Sequence, residues 1–443
     1  LSIMASGNGS VTYNGTVVRG KTQSFTVNEG TSAVITITPD TNYKLKSVKL
    51  NGTDITSSIV NGQYTISNIK SDNALEVVFE GITHTLTITA TGNGSATFNE
   101  TSVRGKSSSF TVNEGSSATV KFMPDANYQI KSVKLNGTDV TSSVSNSQYT
   151  ISNIKGDNTI EVEFEPIINT LSIRAIGNGT VTYNGTTIRG GSDTFSIMQG
   201  SAVVISFEAD SHYQLKSVKQ NGTDVTSSVK DNQYIIDAIN GDTSIEIEFE
   251  AIMHTLSISS TGNGVVSYSN NDIRSGTKTF KVMDGSSATI AMMADVDNRL
   301  KRVVLNGQDV TADISDGQLT LSNITGNNTL EVEFEPIPTY ELNITASGNG
   351  SLYYGGKTIR NQSREFMVKE GSVVTITVTP DNGYRVGNIM MNSEDITAQL
   401  AGSQLSVTVT TETNVEVSFE AIPVVTFTQT VKATGNGTVS HHS

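Results

Sequence analysis

The chain has 443 residues, a formal net charge of −14, and no cysteine or tryptophan. An acidic balance with no basic cluster argues against nucleic acid or an anionic membrane surface as partner. Zero cysteine excludes disulfides, thiol catalysis and Cys-ligated metals, and no run of about 18 apolar residues would insert as a membrane helix.

The tripeptide Gly-Asn-Gly starts at Gly7, Gly92, Gly177, Gly262, Gly348 and Gly435, at intervals of 85, 85, 85, 86 and 87 residues. One module has therefore been copied in tandem. The spans expected are residues 1–84, 85–169, 170–254, 255–340 and 341–424, with a partial sixth copy over 425–443. The chain does not begin with Met and stops within a repeat, so it reads as a piece of a longer protein.

Within a copy the elements follow one order. Each copy opens with an alternating strand such as Leu86-Thr87-Ile88-Thr89-Ala90. Gly-Asn-Gly comes next and is read as a hairpin signal. A nucleotide loop would need Gly-x-Gly-x-x-Gly leading into a helix, whereas this tripeptide leads into a strand. That short strand ends in an aromatic residue (Tyr13, Phe98, Tyr183, Tyr268, Tyr353) and is followed by a basic one (Arg19, Arg104, Arg189, Arg274, Arg360). A strand begun by Phe25, Phe110, Phe195, Phe280 or Phe366 runs to an acid-or-amide-plus-Gly turn such as Glu114-Gly115. Asn-Gly pairs at Asn14-Gly15, Asn51-Gly52, Asn136-Gly137, Asn184-Gly185 and Asn221-Gly222 predict tight turns with positive φ. The run Thr53–Ile59 has room for no more than a turn of helix. A closing strand such as Ile160-Glu161-Val162-Glu163-Phe164-Glu165 puts apolar residues on one face and acids on the other.

Few residues suggest chemistry. The recurring Arg is expected in a structural ion pair, with the Glu of the Glu-Gly turn or of the closing strand. Glu161, Glu163 and Glu165 share a face that reads as solvated rather than cation-binding. Asp295-Val296-Asp297-Asn298 is the only dense acidic loop and lacks a calcium-loop pattern. His84 and His254 stand at module junctions; His212, His441 and His442 recur in no pattern. Asn-x-Ser/Thr triplets such as Asn8-Gly9-Ser10 read as by-products of Asn- and Gly-rich turns. No catalytic, cofactor-binding or metal-ligating residue is assigned, and no cofactor is expected.

The succession Leu86–Ala90, Gly92–Gly94, Phe110–Gly115, Pro124-Asp125, Tyr128, Ser132-Val133, Asn136–Val140, Ser152–Ile154 and Phe164-Glu165 resembles the divergent internalin-type B-repeat of bacterial surface proteins. It is similar to versions in adhesin-like and leucine-rich-repeat proteins of gut Bacteroidota. All five full copies and the opening of the sixth carry it. Copy four departs at Ala294 and Asn298, copy five at Asn392-Ser393, and Val48 and Val133 stand where many members have Trp. The resemblance implies an extracellular, all-β spacer or adhesion module on the bacterial surface, with no catalytic motif to transfer.

The expected architecture is thus five tandem antiparallel β-sandwiches of six to eight strands each, in an extended rod, plus the start of a sixth. The expected role is a non-enzymatic stalk of an adhesin-like protein. Two other readings stand beside it: repeats that bind a host glycan or protein multivalently, and a filament subunit that self-associates by strand pairing.

Overall fold

The computed structural model describes residues 1–432, 434–438 and 440. The strands form ten sheets, alternating between five and four strands, two sheets to a module. The first module sets the pattern: β1 (Ser2–Ser6), β2 (Gly9–Tyr13), β3 (Thr16–Val18), β4 (Lys21–Ser24), β5 (Ala33–Pro39), β6 (Tyr43–Leu50), β7 (Thr53–Asp54), β8 (Gln63–Ile66) and β9 (Ala74–Gly81). One sheet has the order β4-β1-β9-β6-β7 and the other β3-β2-β5-β8. The second module repeats this as β10 (Thr83–Thr91), β11 (Gly94–Phe98), β12 (Thr101–Val103), β13 (Lys106–Asn113), β14 (Ala118–Pro124), β15 (Tyr128–Leu135), β16 (Thr138–Asp139), β17 (Gln148–Ile151) and β18 (Asn158–Pro166). Compactness divides the chain into Leu1–Glu250 and Ala251–Ser443, at the end of the third module's closing strand.

Alternation along each strand builds the core, as period-two patterning requires. In β10, Leu86, Ile88 and Ala90 are fully buried; Ile160, Val162 and Phe164 of β18 lie beside them in the same sheet, and Val120 and Phe122 of β14 face them from the other. Each module has its own such cluster. In β15 the period breaks once: the register shifts between Ile130 and Ser132, a β-bulge that turns Lys131 outward to Glu163 at 2.9 Å and still sends Val133 inward. The same bulge lies between Leu45 and Ser47, Leu300 and Arg302, and Val386 and Asn388.

The tandem sandwich expectation holds, with differences in detail. There are nine strands per module rather than six to eight, because the Asn-Gly turns generate very short strands such as β3 and β7. One pair in each module is parallel: the first strand lies beside the last, with Leu86 opposite Asn158 and Thr91 opposite Glu163. The only helix in the module is the single turn Thr56–Ser58, where the sequence left room for one. Among the described residues no strand follows Ala421. In complete copies the first strand takes its partners from further along, as Leu86 does from Phe110 and Asn158, and residues 425–443 contain no such segments.

The Asn-Gly turns adopt the expected left-handed pairs, as at Asn51 (φ 52°) and Gly52 (φ 82°). Glu100 (φ 60°) and Ser393 (φ 71°) hold the glycine position of such turns with a side chain that disfavours it. Glu100→Gly and Ser393→Gly are therefore expected each to raise stability by about 0.5–1 kcal/mol, read as a higher urea midpoint.

Candidate functional site: the sheet-to-sheet corner and the module junction

Gly-Asn-Gly is not a hairpin. It carries the chain from β10 in one sheet to β11 in the other, and closes over Phe164 of the last strand. Gly92 has φ 78°, and a Cβ there would overlap the Phe164 carbonyl oxygen; a Cβ on Gly94 would stand 2.6 Å from the Phe164 ring. The Asn93 carbonyl between them accepts the Asp125 backbone N–H at 3.1 Å. Sequence reading found the turn residues but missed the ring they wrap, which lies about seventy positions further on.

The recurring Arg also belongs to this corner. Arg19 Nη1 donates to Asp40 Oδ2 at 2.6 Å, Arg104 Nη1 to Asp125 Oδ2 at 3.0 Å, Arg274 Nη1 to Asp295 Oδ1 at 3.1 Å and Arg360 Nη1 to Asp381 Oδ2 at 2.9 Å; Arg189 pairs with Asp210. A structural ion pair was expected, but its carboxylate comes from the Asp after β5 or its equivalent. The corner, not the Glu-Gly turn, brings that Asp within reach. The Arg360 guanidinium holds the Asp381 carboxyl below its ordinary value. The aromatic residues are likewise engaged. Tyr13 meets Phe25 edge-on at 5.1 Å, Phe98 meets Phe110 at 5.2 Å, and Tyr183–Phe195 and Tyr268–Phe280 follow at 4.9 Å. In the fifth module the packed ring is Tyr354, on Phe366, and not Tyr353, which is 52% exposed. A shift of one residue moves a side chain to the other face of a strand.

The remaining sequence candidates divide into ion pairs and solvated positions. Glu163 receives Lys131, Glu165 receives the Gln129 amide at 3.2 Å, and Glu161 is exposed. In the acidic loop, Asp295 is held by Arg274 and Asp297 pairs with Lys369. Among the described residues no three His, Asp or Glu side chains group as a metal site. His84 Nε2 lies 3.3 Å from Glu114 Oε2, and His254 Nε2 lies 2.7 Å from Asp284 Oδ1. Asn169 and Tyr340 occupy the same register position in the third and fifth modules, so this imidazole–carboxylate contact is confined to the second and fourth. His212 sits in a turn at φ 69°. His441 and His442 lie outside the described residues.

The junctions hold residues that sequence reading passed over. Between the first and second modules, the Ile82 N–H donates to the Asn42 carbonyl at 2.9 Å, and the Ile82 carbonyl accepts from the Glu114 N–H at 2.8 Å. Asn42 is left-handed (φ 69°), and its carboxamide rests where a Cβ of Gly115 would be. Lys155 Nζ donates to Asn42 Oδ1 at 2.9 Å and reaches Glu114 Oε1 at 3.3 Å. Ile167, Asn127, Gln199 and Gly200 repeat the same contacts between the second and third modules. Between the fourth and fifth, Ile337 donates to the Asp297 carbonyl at 3.0 Å and Arg299 Nη1 bonds Glu370 Oε2 at 2.5 Å. The available signal was the left-handed Asn two residues after the Asp of the turn, at a place where turn propensity already accounted for it.

A recurring clasp predicts acid sensitivity. Asp309 Oδ1 accepts the Thr311 hydroxyl at 2.6 Å and its N–H at 3.0 Å, and Thr311 Oγ1 in turn accepts the Val303 N–H at 2.8 Å. Hydrogen bonding from the Thr311 hydroxyl and N–H, aided by Arg302, lowers the Asp309 carboxyl to about 2. Asp54, Asp139, Asp224 and Asp395 are lowered by the equivalent Thr. A carboxyl depressed on folding contributes stability above its unfolded value, near 4, and loses it as pH falls through the folded value. Urea midpoints are expected to drop between about pH 4 and pH 2, and Asp309→Asn is expected to flatten that drop. A midpoint independent of pH over this range would refute the clasp.

Residues 84–168 and 340–423 match the family described as the divergent InlB B-repeat domain. No curated protein matches the chain in sequence. Among solved structures, the Bacillus anthracis TIE protein is 10% identical, with 88% of this chain and 71% of that one covered at a TM-score of 0.28. The open pilus adhesin SpaC of Lactobacillus rhamnosus GG is 8% identical, with 87% and 56% covered at a TM-score of 0.22. Two B repeat units of the collagen binding protein of Staphylococcus aureus are 9% identical, with 77% and 100% covered at a TM-score of 0.15. Scores this low carry no argument about fold or function. The family match stands on its own: the second and fifth modules each match the divergent InlB B-repeat domain, and the three other copies share their strand order.

Proposed function

We propose that the chain is a non-catalytic spacer of a bacterial surface or secreted adhesin-like protein, with one module to each span expected from the Gly-Asn-Gly period. The observation that carries this reading is the junction. In each of the three described, one linker residue is hydrogen-bonded to the turn before it, and the linker is bonded to the turn after it. Such a connection sets the orientation of neighbours and leaves little free linker. The residues that repeat in every copy are engaged in holding the module together: the Arg in an ion pair, the aromatic ring on a Phe, the Asp in a clasp. These recurring groups are thus spent inside the module rather than offered to a glycan or protein ligand.

Small-angle scattering tests the proposal. Five modules in line predict a radius of gyration of about 45 Å, against about 22 Å for one globule of this length. A value near the smaller figure would sink it.

A further inference from the structure

From the placement of the terminal strands we infer a function beyond spacing: each module is a mechanical clamp that resists tension along the chain. The inference does not depend on the spacer reading. In every module the first and last strands are parallel neighbours. Ser2 to Ser6 pair with Ala74 to Val78, and Leu86 to Thr91 with Asn158 to Glu163. Leu171 to Ile176 pair with Thr243 to Glu248, Leu256 to Thr261 with Asn328 to Glu333, and Leu342 to Ser347 with Thr413 to Ser418.

Parallel pairing puts the start of the first strand and the end of the last at opposite ends of the sheet. Tension on the chain pulls the first strand toward its start and the last toward its end, along their common axis. All hydrogen bonds between them are loaded together, and none can open without the rest. An antiparallel pair pulled from one end opens one bond at a time. The difference follows from geometry alone, at equal numbers of bonds.

Other features reinforce the pair. Both loaded strands are interior to their sheet: β10 is also paired with β13 from Thr83 to Ala90, and β18 with β15. The bonds lie over a dry core, since Leu86, Ile88, Ile160 and Val162 are buried, and water is kept from competing for them. The start of the first strand is also tied sideways. The Thr85 N–H donates to Asp157 Oδ1 at 2.7 Å, Thr170 to Asp242 at 2.7 Å and Thr255 to Asn327 at 2.8 Å, in each case to the residue just before or opening the approach to the last strand. At the other end, Thr91 Oγ1 donates to the Val162 carbonyl at 3.3 Å and Thr261 Oγ1 to that of Val332 at 3.4 Å.

Single-molecule force spectroscopy on the whole chain decides the matter, and the absence of native cysteine allows thiol handles to be placed at will. Handles at Thr83→Cys and Pro166→Cys load the second module as the chain would. Handles at Thr83→Cys and Asn113→Cys pull on residues paired directly across β10 and β13, so that ladder unzips. All three positions are exposed. The first geometry is expected to rupture at a several-fold higher force than the second at the same loading rate. Pulling the chain from its ends is expected to give repeated high-force events, each releasing up to about 290 Å of extended chain, the reach of one repeat. Equal forces in the two geometries, or a lower force in the first, would overturn the clamp. The spacer reading fails separately, on scattering: compact scattering with a high shear force would remove the spacer alone, and extended scattering with equal forces the clamp alone.

Discussion

Gly92→Ala is expected to bring the second module close to unfolding while its neighbours stay folded. Gly92 is left-handed, a conformation that costs a residue with a Cβ about 1–2 kcal/mol. The added methyl would also overlap the backbone carbonyl of Phe164, which cannot retreat because β18 is held between β10 and β15. Overpacking of this kind costs about 1–3 kcal/mol more. Together these approach the roughly 4–13 kcal/mol expected for a whole module of this size. Because the cores are separate, the loss should remain local, as in other tandem arrays. In urea, about one fifth of the far-ultraviolet amplitude should melt well before the rest. A curve superimposable on that of the unmodified chain would show that the corner does not constrain Gly92.

Phe164→Ala should cost about 3–5 kcal/mol, since the ring is 4% exposed and bridges the two sheets beneath Gly94. The same contact predicts a coupling. Gly94→Ala alone drives a methyl into the ring face at 2.6 Å and should be nearly as damaging. In a chain that already carries Phe164→Ala, the added methyl enters space the ring has left. The second substitution should then cost far less than the first, with a coupling of about 1–3 kcal/mol in a double-mutant cycle. Additive losses would mean that the glycine serves the backbone turn alone.

Much of this was legible in the sequence, for physical reasons. Strand alternation is a local signal, and Leu86, Ile88 and Ala90 announced their buried face without help from the rest of the chain. Asn-Gly turns are equally local, so Asn51-Gly52 and Asn136-Gly137 were placed correctly. What stayed hidden depends on residues far apart in the chain. Gly92 and Gly94 looked like turn residues because the ring that requires them is Phe164. The carboxylate that meets Arg104 is Asp125, brought near by the corner, and neither the Glu of the Glu-Gly turn nor that of the closing strand, the two partners expected. The parallel pairing of first and last strands left no mark in composition or period. At Tyr353 and Tyr354 the pattern offered two adjacent rings, and only the register chose between them. The junction asparagines were hidden because turn chemistry already explained them.

The junction has a consequence for how such an array changes length over generations. Each described boundary joins the same two surfaces, a left-handed residue leaving one module and a turn opening the next. Loss of residues 85–169 by recombination between neighbouring copies would bring Asn42 onto Gly200, the pairing that Asn127 makes with Gly200 already. No new interface would have to arise. Copy number is therefore free to drift in whole modules, and the reach of the array can be retuned by inheritance without any change to the fold of a single repeat.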